Sequence, residues 1–302
     1  MLLATARFLE VATIARAAVL GLLLGTATMV RTVTEFLIII LPLAVFIVAT
    51  RKSNWRRGLA AALAALLLAL APLAPLLLRN RIEYGYWQLA AQGGNHLLFW
   101  VVPSVKAAAD GRARAEIGDE MAARLGAELD VHPEIDRDSQ LGVDQVRTRL
   151  DLAELRAAPV SAIARAWADG MAQNLFSPAL PLDPRIYLTP HPSLISMPGV
   201  GTVDRVITYI KASPRVFVLA LGLGLAGSAI TSLLQLGGFI WLVRRKPWAA
   251  ALAALCIAYF LLVSGPIGSA KYRIPFEPVL VVLTAVALCA LRSRKEEQAP
   301  TP

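Results

Sequence analysis

The chain contains six long apolar runs, and these runs decide what it can fold into. Because a helix needs about 20 apolar residues to cross the hydrocarbon core of a bilayer, each run is a candidate membrane span. Hydrophobic residues make up 57% of the 302 residues and charged residues 17%, a more apolar composition than a soluble domain needs. The sequence therefore predicts an all-α, polytopic membrane protein with about six transmembrane helices. The predicted spans are residues 17–29, 36–50, 58–78, 216–243, 248–263 and 276–291.

Residues 1–16 are apolar but are interrupted by Arg7, Glu10 and Arg16. The segment either extends the first span or lies along the membrane interface, and the charges within it favour the interfacial helix. A cleaved signal peptide fits poorly, because no basic region precedes the apolar part.

Three clusters of basic residues follow the second, fourth and sixth predicted spans. Short loops rich in Lys and Arg stay in the cytoplasm, so six spans put all three clusters inside and the long segment after the third span outside. For a bacterial protein this predicts a multi-pass protein of the inner (plasma) membrane with a periplasmic loop. The clusters also explain the isoelectric point near 10.0, so a nucleic-acid partner is not favoured. The clusters are Arg51, Lys52, Arg56 and Arg57; Arg244, Arg245 and Lys246; and Arg292, Arg294 and Lys295.

This topology divides the chain into four parts. Residues 1–79 hold the interfacial segment and three spans, and residues 80–214 form the outer loop region. Residues 215–292 hold three further spans, and residues 293–302 form a cytoplasmic tail.

The outer loop region is predicted to be small and mostly helical. Apolar side chains at helical spacing indicate a first helix, a second helix covers residues 141–158, and a third begins near Pro159 and stops at Pro178. Dense prolines over residues 178–198 indicate an extended loop, which either covers a site or packs on the helices. The expected apolar faces are Ile117, Met121, Leu125 and Leu129 on the first helix, and Val160, Ile163, Trp167, Met171 and Leu175 on the third.

Five cations remain at the outer ends of the predicted spans, on the side that the orientation rule disfavours. They are Arg31, Arg79, Arg81, Lys271 and Arg273. Cations kept beside the hydrocarbon boundary indicate an anionic partner, which is a lipid phosphate, a pyrophosphate or a nearby carboxylate. The alternative is that each side chain extends to ordinary lipid headgroups, as Arg and Lys commonly do at a membrane edge. The carboxylates in question are Glu35, Glu83 and Glu277.

No metal site is predicted from the remaining residues. His96, His132 and His191 are scattered without ligand spacing, although His96 lies near the membrane edge. Cys256 and Cys289 both fall inside predicted spans and are interpreted as small buried residues.

Three stretches at the outer helix ends resemble a known family. They are GLLLGTATMVR (residues 21–31), APLLLRNRIEYG (residues 74–85) with GGNHL (residues 93–97), and KYRIPFEP (residues 271–278). In this order they resemble the later half of the GT-C membrane glycosyltransferases, in particular the family 39-like branch with the protein O-mannosyltransferases and the lipid A aminoarabinose transferase. The matching positions are Arg31, Arg79, Asn80, Gly85, Gly94, Asn95, Tyr272, Arg273 and Pro275.

The resemblance implies transfer of a sugar from a polyprenyl-phosphate donor to an acceptor on the outer face of the membrane. The five outer cations would bind the donor phosphate, and Asn80, Asn95, His96 and Tyr272 are candidate site-lining residues. Family members begin with further helices and an acidic loop that supplies a base or metal ligand, and this sequence shows no counterpart. The catalytic base is therefore unassigned, a divalent cation has no ligand set here, and a partner subunit that supplies the early part is one expectation.

A second function class stays open beside the transferase. It is a non-catalytic membrane protein, such as a transport component, an assembly component or an inactive paralogue. A transporter would be expected to bury ionisable residues within its spans or to show paired broken helices, whereas here the spans are nearly free of charge and the charges gather at the outer helix ends. That distribution favours the transferase.

Overall fold

A computed structural model describes residues 2–180, 183–192 and 202–298. The chain is all-helical, with 81% of its residues in helices and no strand in those ranges, which confirms the predicted all-α class. It forms two compact units, each built from two stretches of the chain. The first unit is Met1–Leu98 with Ala122–Ala153, and the second is Phe99–Met121 with Glu154–Pro302.

The first unit contains the helices that precede the outer region. Helix α1 covers Leu2–Glu10, α2 Ile14–Val30, α3 Leu37–Lys52, α4 Trp55–Leu70, α5 Ala74–Tyr84 and α6 Gly93–His96. A π-helical segment, Leu97–Val101, then leads into α7, Val102–Asp110, which belongs to the second unit. Helices α8, Arg114–Val131, and α9, Gln140–Ala157, each contribute residues to both units.

Small residues let α2 and α4 pack with their backbones nearly in contact. A Cβ atom on Gly21 would lie 2.0 Å from the carbonyl oxygen of Ala65, and one on Gly25 would lie 2.2 Å from that of Ala69. Side chains at these two glycines would therefore force the helices apart. Gly21 and Gly25 belong to GLLLGTATMVR, the first stretch that resembles the family, and their spacing thus serves helix packing.

The predicted interfacial segment forms α1, which packs onto this helix bundle through Phe8. The Phe8 side chain is buried together with Leu20 of α2 and Val45 of α3. Lys52 donates hydrogen bonds to the carbonyl oxygens of Leu9 and Glu10, the latter at 3.0 Å. A cation therefore satisfies the exposed carbonyls at the end of α1, where it also complements the helix dipole.

The second unit contains the later helices. Helix α10 covers Val160–Phe176, α11 Pro184–Tyr187, α12 Thr202–Ala212, α13 Arg215–Arg245, α14 Pro247–Ser264 and α15 Glu277–Gln298. A short 3-10 helix, Ala270–Arg273, precedes α15. Helices α13 and α15 pack along each other and make the most extensive helix contact in this unit.

The structure has three helices that are long and apolar enough to span a membrane, fewer than the six predicted. They are Thr32–Lys52, Arg215–Arg245 and Pro247–Ser264, among the described residues. The predicted span 58–78 is broken instead into α4 and α5, which meet at an angle of 54°, and counting this pair as one span gives four. Pro72 and Pro75 lie at the break, and a proline cannot continue the helical hydrogen-bond ladder.

The other two predicted spans fall short for different reasons. Helix α2 has 17 residues, so it is about 26 Å long, less than the roughly 30 Å thickness of a bilayer core. Helix α15 is longer, but its apolar part ends at Leu291, where a cluster of charged residues begins. The coarser prediction of an apolar, helical membrane protein holds.

The three predicted helices of the outer region form, as α8, α9 and α10. On α8 the expected face is buried at Ile117, Met121 and Leu125, which confirms the four-residue pattern. On α10 the buried face differs from the expected one and consists of small residues, because the chain after α14 packs directly against the helix backbone. The proline-rich loop is described only at residues 178–180 and 183–192; its other predicted residues lie outside the described ranges, as do residues 299–302 of the tail.

Candidate functional site

In the second unit, the candidate residues Lys271, Tyr272 and Arg273 lie together in the 3-10 helix just before α15. The Lys271 ammonium lies 5.2 Å from the centroid of the Tyr272 ring, which is a cation–π contact between sequence neighbours. Lys271 itself is exposed, whereas the Arg273 side chain is only 16% exposed. The structure therefore brings three of the predicted residues together, and we call Lys271, Tyr272 and Arg273 the corner. One of its cations is open to solvent and the other is largely buried.

Arg273 is held on two sides. Its Nε atom donates a hydrogen bond of 2.7 Å to Oε2 of Glu277, the first residue of α15. Its Nη1 atom donates to the carbonyl oxygens of Leu175 at 3.1 Å and Ser177 at 3.4 Å, at the end of α10. The Nη2 atom has no hydrogen-bond partner in the part of the chain that the structure describes. The guanidinium is thus fixed in orientation while one of its nitrogens remains for a ligand.

Asn174 of α10 fixes the loop that carries this corner, and sequence reasoning missed it. The side chain is fully buried; its Nδ2 atom donates to the carbonyl oxygen of Ile267 at 3.0 Å, and its Oδ1 atom accepts from the backbone N–H of Ser269 at 2.9 Å. One amide therefore satisfies a backbone acceptor and a backbone donor in the loop. Asn174 lies on the small-residue face of α10 one turn after Gly170, and that spacing was the available signal.

A groove lies between α13 and α15 and ends at Arg273. Its volume is about 590 Å³. The hydroxyls of Thr231 and Thr284 each bond to a carbonyl oxygen of their own helix, so they present little open polarity to the groove. Most of the wall is apolar or small, and the charged groups are confined to one end. The lining residues are Pro178, Ala179, Leu180, Gly224, Gly227, Ser228, Thr231, Gln235, Arg273, Glu277, Val281, Thr284, Ala285 and Leu288.

Residues 177–180 form a strap over the charged end of this groove. A Cβ atom on Gly224 would lie 2.9 Å from Cβ of Pro178, and Oγ of Ser228 donates 2.8 Å to the carbonyl oxygen of Phe176. Small residues four apart, such as Gly224 and Ser228, often allow two helices to pack closely. In the structure they receive the strap, which is the chain that leaves α10.

Helices α13 and α15 also make close backbone contact. A Cβ atom on Gly238 would lie 1.9 Å from the carbonyl oxygen of Leu283, so the two backbones meet there. From Gly224 to Gln235 the groove follows α13 over 11 residues, which corresponds to about 16 Å at 1.5 Å per residue. On α15 the groove lining extends past this contact to Leu288.

In the first unit, Arg79 and Asn80 lie together at the end of α5. Arg79 donates from Nε and Nη2 to Oδ1 of Asn80, at 3.3 and 3.0 Å, and its Nε atom lies 3.6 Å from Oε2 of Glu83. Asn80 is only 2% exposed and donates 2.6 Å to the carbonyl oxygen of Gln88. A cavity of about 270 Å³ lies beside them, lined also by Tyr84.

Arg81 has a different role from Arg79, although the two are near neighbours in sequence. Its Nη1 atom donates to the carbonyl oxygen of Gly85, which follows α5 with a φ of 80°. Only glycine adopts that left-handed conformation without strain, so the Gly of the family pattern serves as the helix C-cap. Arg31 lies at the end of α2, where its backbone N–H donates to the carbonyl oxygen of Ala27.

The GGNHL stretch forms α6 and the first residue of the π-helical segment, and a buried carboxylate caps its N-terminal end. Asp144 of α9 is fully buried and accepts the backbone N–H groups of Gly94, at 3.1 Å, and Asn95, at 2.9 Å. Gly94 fits because a Cβ atom there would lie 2.3 Å from the carbonyl oxygen of Asp144. The Asn95 side chain is exposed, and His96 ends α6. Sequence reasoning did not single out Asp144, whose partner lies 50 residues away in the chain.

One carboxyl group beside the strap has a strongly shifted pKa. Asp183 precedes α11, and its two carboxylate oxygens accept hydrogen bonds from the Arg185 side chain, both at 2.9 Å. The Arg185 backbone N–H also donates to it, at 3.0 Å. These bonds favour the ionised form and lower the pKa of Asp183 to about 2.

No protein-family model, curated protein or solved structure matches the chain. In the described residues, no group of three or more His, Cys, Asp or Glu side chains is arranged to hold a metal ion. The site must therefore be interpreted from its own geometry, which is a mostly apolar groove with Arg273 and Glu277 at one end.

Proposed function

We propose that the chain is an integral-membrane glycosyltransferase, or the C-terminal part of one, that uses a polyprenyl-phosphate sugar donor. The observation that carries the proposal is the groove between α13 and α15, which is mostly apolar and has Arg273 and Glu277 at one end. A lipid phosphate has the complementary shape and charge, because it is a long apolar chain with one anionic end. The family resemblance of the corner residues is consistent with this ligand.

The charges at the end of the groove, together with Lys271 two residues before Arg273, suit a phosphate. Arg273 and Lys271 bring two positive charges and Glu277 one negative charge, so the corner keeps a net charge of +1. Glu277 also orients the guanidinium, since it accepts from Nε and leaves Nη2 for the ligand. In a water-poor site a fixed donor of this kind binds phosphate more strongly than a flexible one would.

The chemistry we propose is a single displacement at the anomeric carbon of the donor sugar. An acceptor hydroxyl loses its proton to a base and its oxygen forms a bond to the anomeric carbon. The bond from that carbon to the phosphate oxygen breaks, and its electron pair stays on the phosphate. Lys271 and Arg273 stabilise the negative charge that grows on the leaving phosphate. No residue of this chain is assigned the role of the base.

We further propose a location and a set of partners. Basic loops favour an orientation in which the corner residues and the outer region face the periplasm of a bacterium, with the chain in the inner membrane. A partner subunit that carries the acidic loop would complete the site.

A second candidate function is a non-catalytic lipid-binding membrane protein. It is favoured by the bonds that Arg273 makes to Leu175 and Ser177, because they also hold the fold together. The two functions differ in whether the sugar leaves the lipid.

A transfer assay with a matched pair of lysine variants tests the proposed function. Lys271→Ala removes an exposed charge whose side chain contacts the ring of Tyr272, so the protein should still fold. Lys246→Ala removes an exposed charge at the other end of α13 and is the control. Membranes that contain each variant receive radiolabelled polyprenyl-phosphate monosaccharides, and sugar released from the lipid fraction is counted.

We expect Lys271→Ala to lower the initial rate about tenfold or more, the effect of one charge on a developing anion. Lys246→Ala should match the unmodified protein. Equal rates in the two variants would refute the phosphate-binding role of the corner. Intact lipid-linked sugar with every variant and with the unmodified protein would favour the non-catalytic function.

A further inference from the structure

We propose that helix α12 binds the membrane surface beside the start of α13, with one face of the helix inserted among the lipid headgroups. The partner of this interaction surface is the bilayer itself. The proposal goes beyond the proposed function and does not depend on it, because it uses no residue that lines the groove.

The sequence of α12 separates apolar from polar residues around the helix. Apolar residues recur at positions 203, 206, 207 and 210, a spacing of three and four that puts them on one face. Ile207 and Ile210 are 45% and 44% exposed, so the described part of the chain leaves much of this face open. An open apolar face on an otherwise polar helix indicates a partner outside the chain.

The chain next to α12 indicates that this partner is the bilayer. Ser213 and Pro214 join α12 to α13, which is one of the helices long and apolar enough to span a membrane. Val216 and Leu219 are exposed apolar residues at the start of α13, so the surface suited to hydrocarbon begins there. The open face of α12 therefore adjoins the edge of a membrane span.

Contacts between rings hold the last turns of α12 against α13. The Tyr209 ring meets the Phe217 ring edge to face, with centroids 6.2 Å apart, and the His191 ring stacks on Phe217 at 4.0 Å. Oγ of Ser213 donates 2.7 Å to the carbonyl oxygen of Tyr209 and so satisfies an acceptor near the end of α12. These contacts keep α12 at the end of the span.

Two cations at the junction complement lipid phosphates. Lys211 in the last turn of α12 and Arg215, the first residue of α13, are both exposed. An apolar face bordered by Lys or Arg is typical of helices that lie in the membrane interface, where the cations reach the headgroups. Because α13 already holds α12 beside the bilayer, insertion is an intramolecular step, and a small apolar face is sufficient.

Fluorescent labels on two sides of α12 test the proposal. A fluorescent amino acid replaces Ile207, Ile210 or, as the control on the opposite side, the exposed residue Ala212. The full chain is placed in nanodiscs of phosphatidylcholine and phosphatidylglycerol, and each label is quenched with lipids brominated on the upper acyl chain or with aqueous acrylamide. We expect bromolipid to quench the labels at 207 and 210 about threefold more than the label at 212, and acrylamide to give the reverse order.

A matched pair of double variants tests the consequence of insertion. Ile207→Gln with Ile210→Gln removes the apolar face, whereas Thr208→Gln with Ala212→Gln places the same helix-forming side chain elsewhere on α12. Hydrogen exchange of the α12 amides is measured with the full chain in the same nanodiscs. We expect exchange to be about tenfold faster in the first variant and within about twofold of the unmodified protein in the second. Unchanged protection along α13 shows that both variants are folded.

Three results would overturn the proposal. One is equal quenching of the three labels by bromolipid. Another is protection of the labels at 207 and 210 from both quenchers, which would mean that protein, such as a second copy of the chain, covers the face. The third is α12 exchange that is the same in the two double variants.

Discussion

Replacement of Asn174 by alanine should destabilise the second unit more than any exposed substitution, because this one side chain pairs with two backbone groups. Without it, the carbonyl oxygen of the buried residue Ile267 and the N–H of the half-buried residue Ser269 lose their partners. A buried group left unsatisfied costs about 1–3 kcal/mol, and the half-buried one costs less because water reaches it. We therefore expect a loss of about 2–4 kcal/mol in the free energy of unfolding.

The matched control is Asn95→Ala, which removes the same side chain from an exposed position. Such a change usually stays within about 0.5 kcal/mol. For a unit of this size, 1 kcal/mol shifts the thermal midpoint by roughly 2–4 °C, so Asn174→Ala should lower it by about 4–16 °C and Asn95→Ala by no more than about 2 °C. Tryptophan fluorescence of the protein in detergent during heating measures both. Equal midpoints for the two variants would refute the role of Asn174.

Three further predictions concern helix packing, ionisation and capping. Gly238→Leu should separate α13 from α15 and lower the yield of folded protein in size-exclusion chromatography. Gly237→Leu should not lower this yield, because nothing lies within 4 Å of its Cβ position. Equal yields for the two variants would contradict the contact between the helices. Carboxyl carbon NMR should give Asp183 a pKa of about 2, and Arg185→Ala should return this pKa towards 3.8. Because the pKa is lowered in the folded state, any stability from this group is present above about pH 4 and is lost as the pH falls towards 2. Asp144→Ala should cost about 1–3 kcal/mol and expose the first amides of α6 to faster hydrogen exchange; unchanged exchange would argue against the cap.

Apolar runs predicted the helical class well, because burial in a bilayer depends on composition over long windows. They predicted the number of spans poorly, since a run of apolar letters does not show where a helix bends. The residues around Pro72 belong to one apolar run, yet the chain turns by 54° there. The apolar pattern was also misleading for α2, which after Arg16 carries no charge but is shorter than a bilayer core.

The predicted cations were identified from their positions, but their roles depend on contacts that the sequence does not show. Arg79 and Arg81 look alike in the sequence, yet one pairs with Asn80 beside a cavity and the other bonds to the carbonyl of Gly85. Asn174 and Asp144 were missed because each acts on a backbone that is distant in the chain. A polar residue on the small-residue face of a helix is the signal that local periodicity offers for such contacts.

Photocrosslinking tests the central claim, which is that a lipid phosphate occupies the groove between α13 and α15. A farnesyl phosphate with a diazirine on its second isoprene unit is added to the full chain in nanodiscs, irradiated and mapped by peptide mass spectrometry. The account predicts crosslinks on the groove walls, at residues 227–235 of α13 and 281–288 of α15, and competition by unlabelled farnesyl phosphate. It also predicts weaker labelling in Lys271→Ala than in Lys246→Ala. Crosslinks spread over the lipid-exposed faces of all helices, with no effect of competitor or variant, would contradict it.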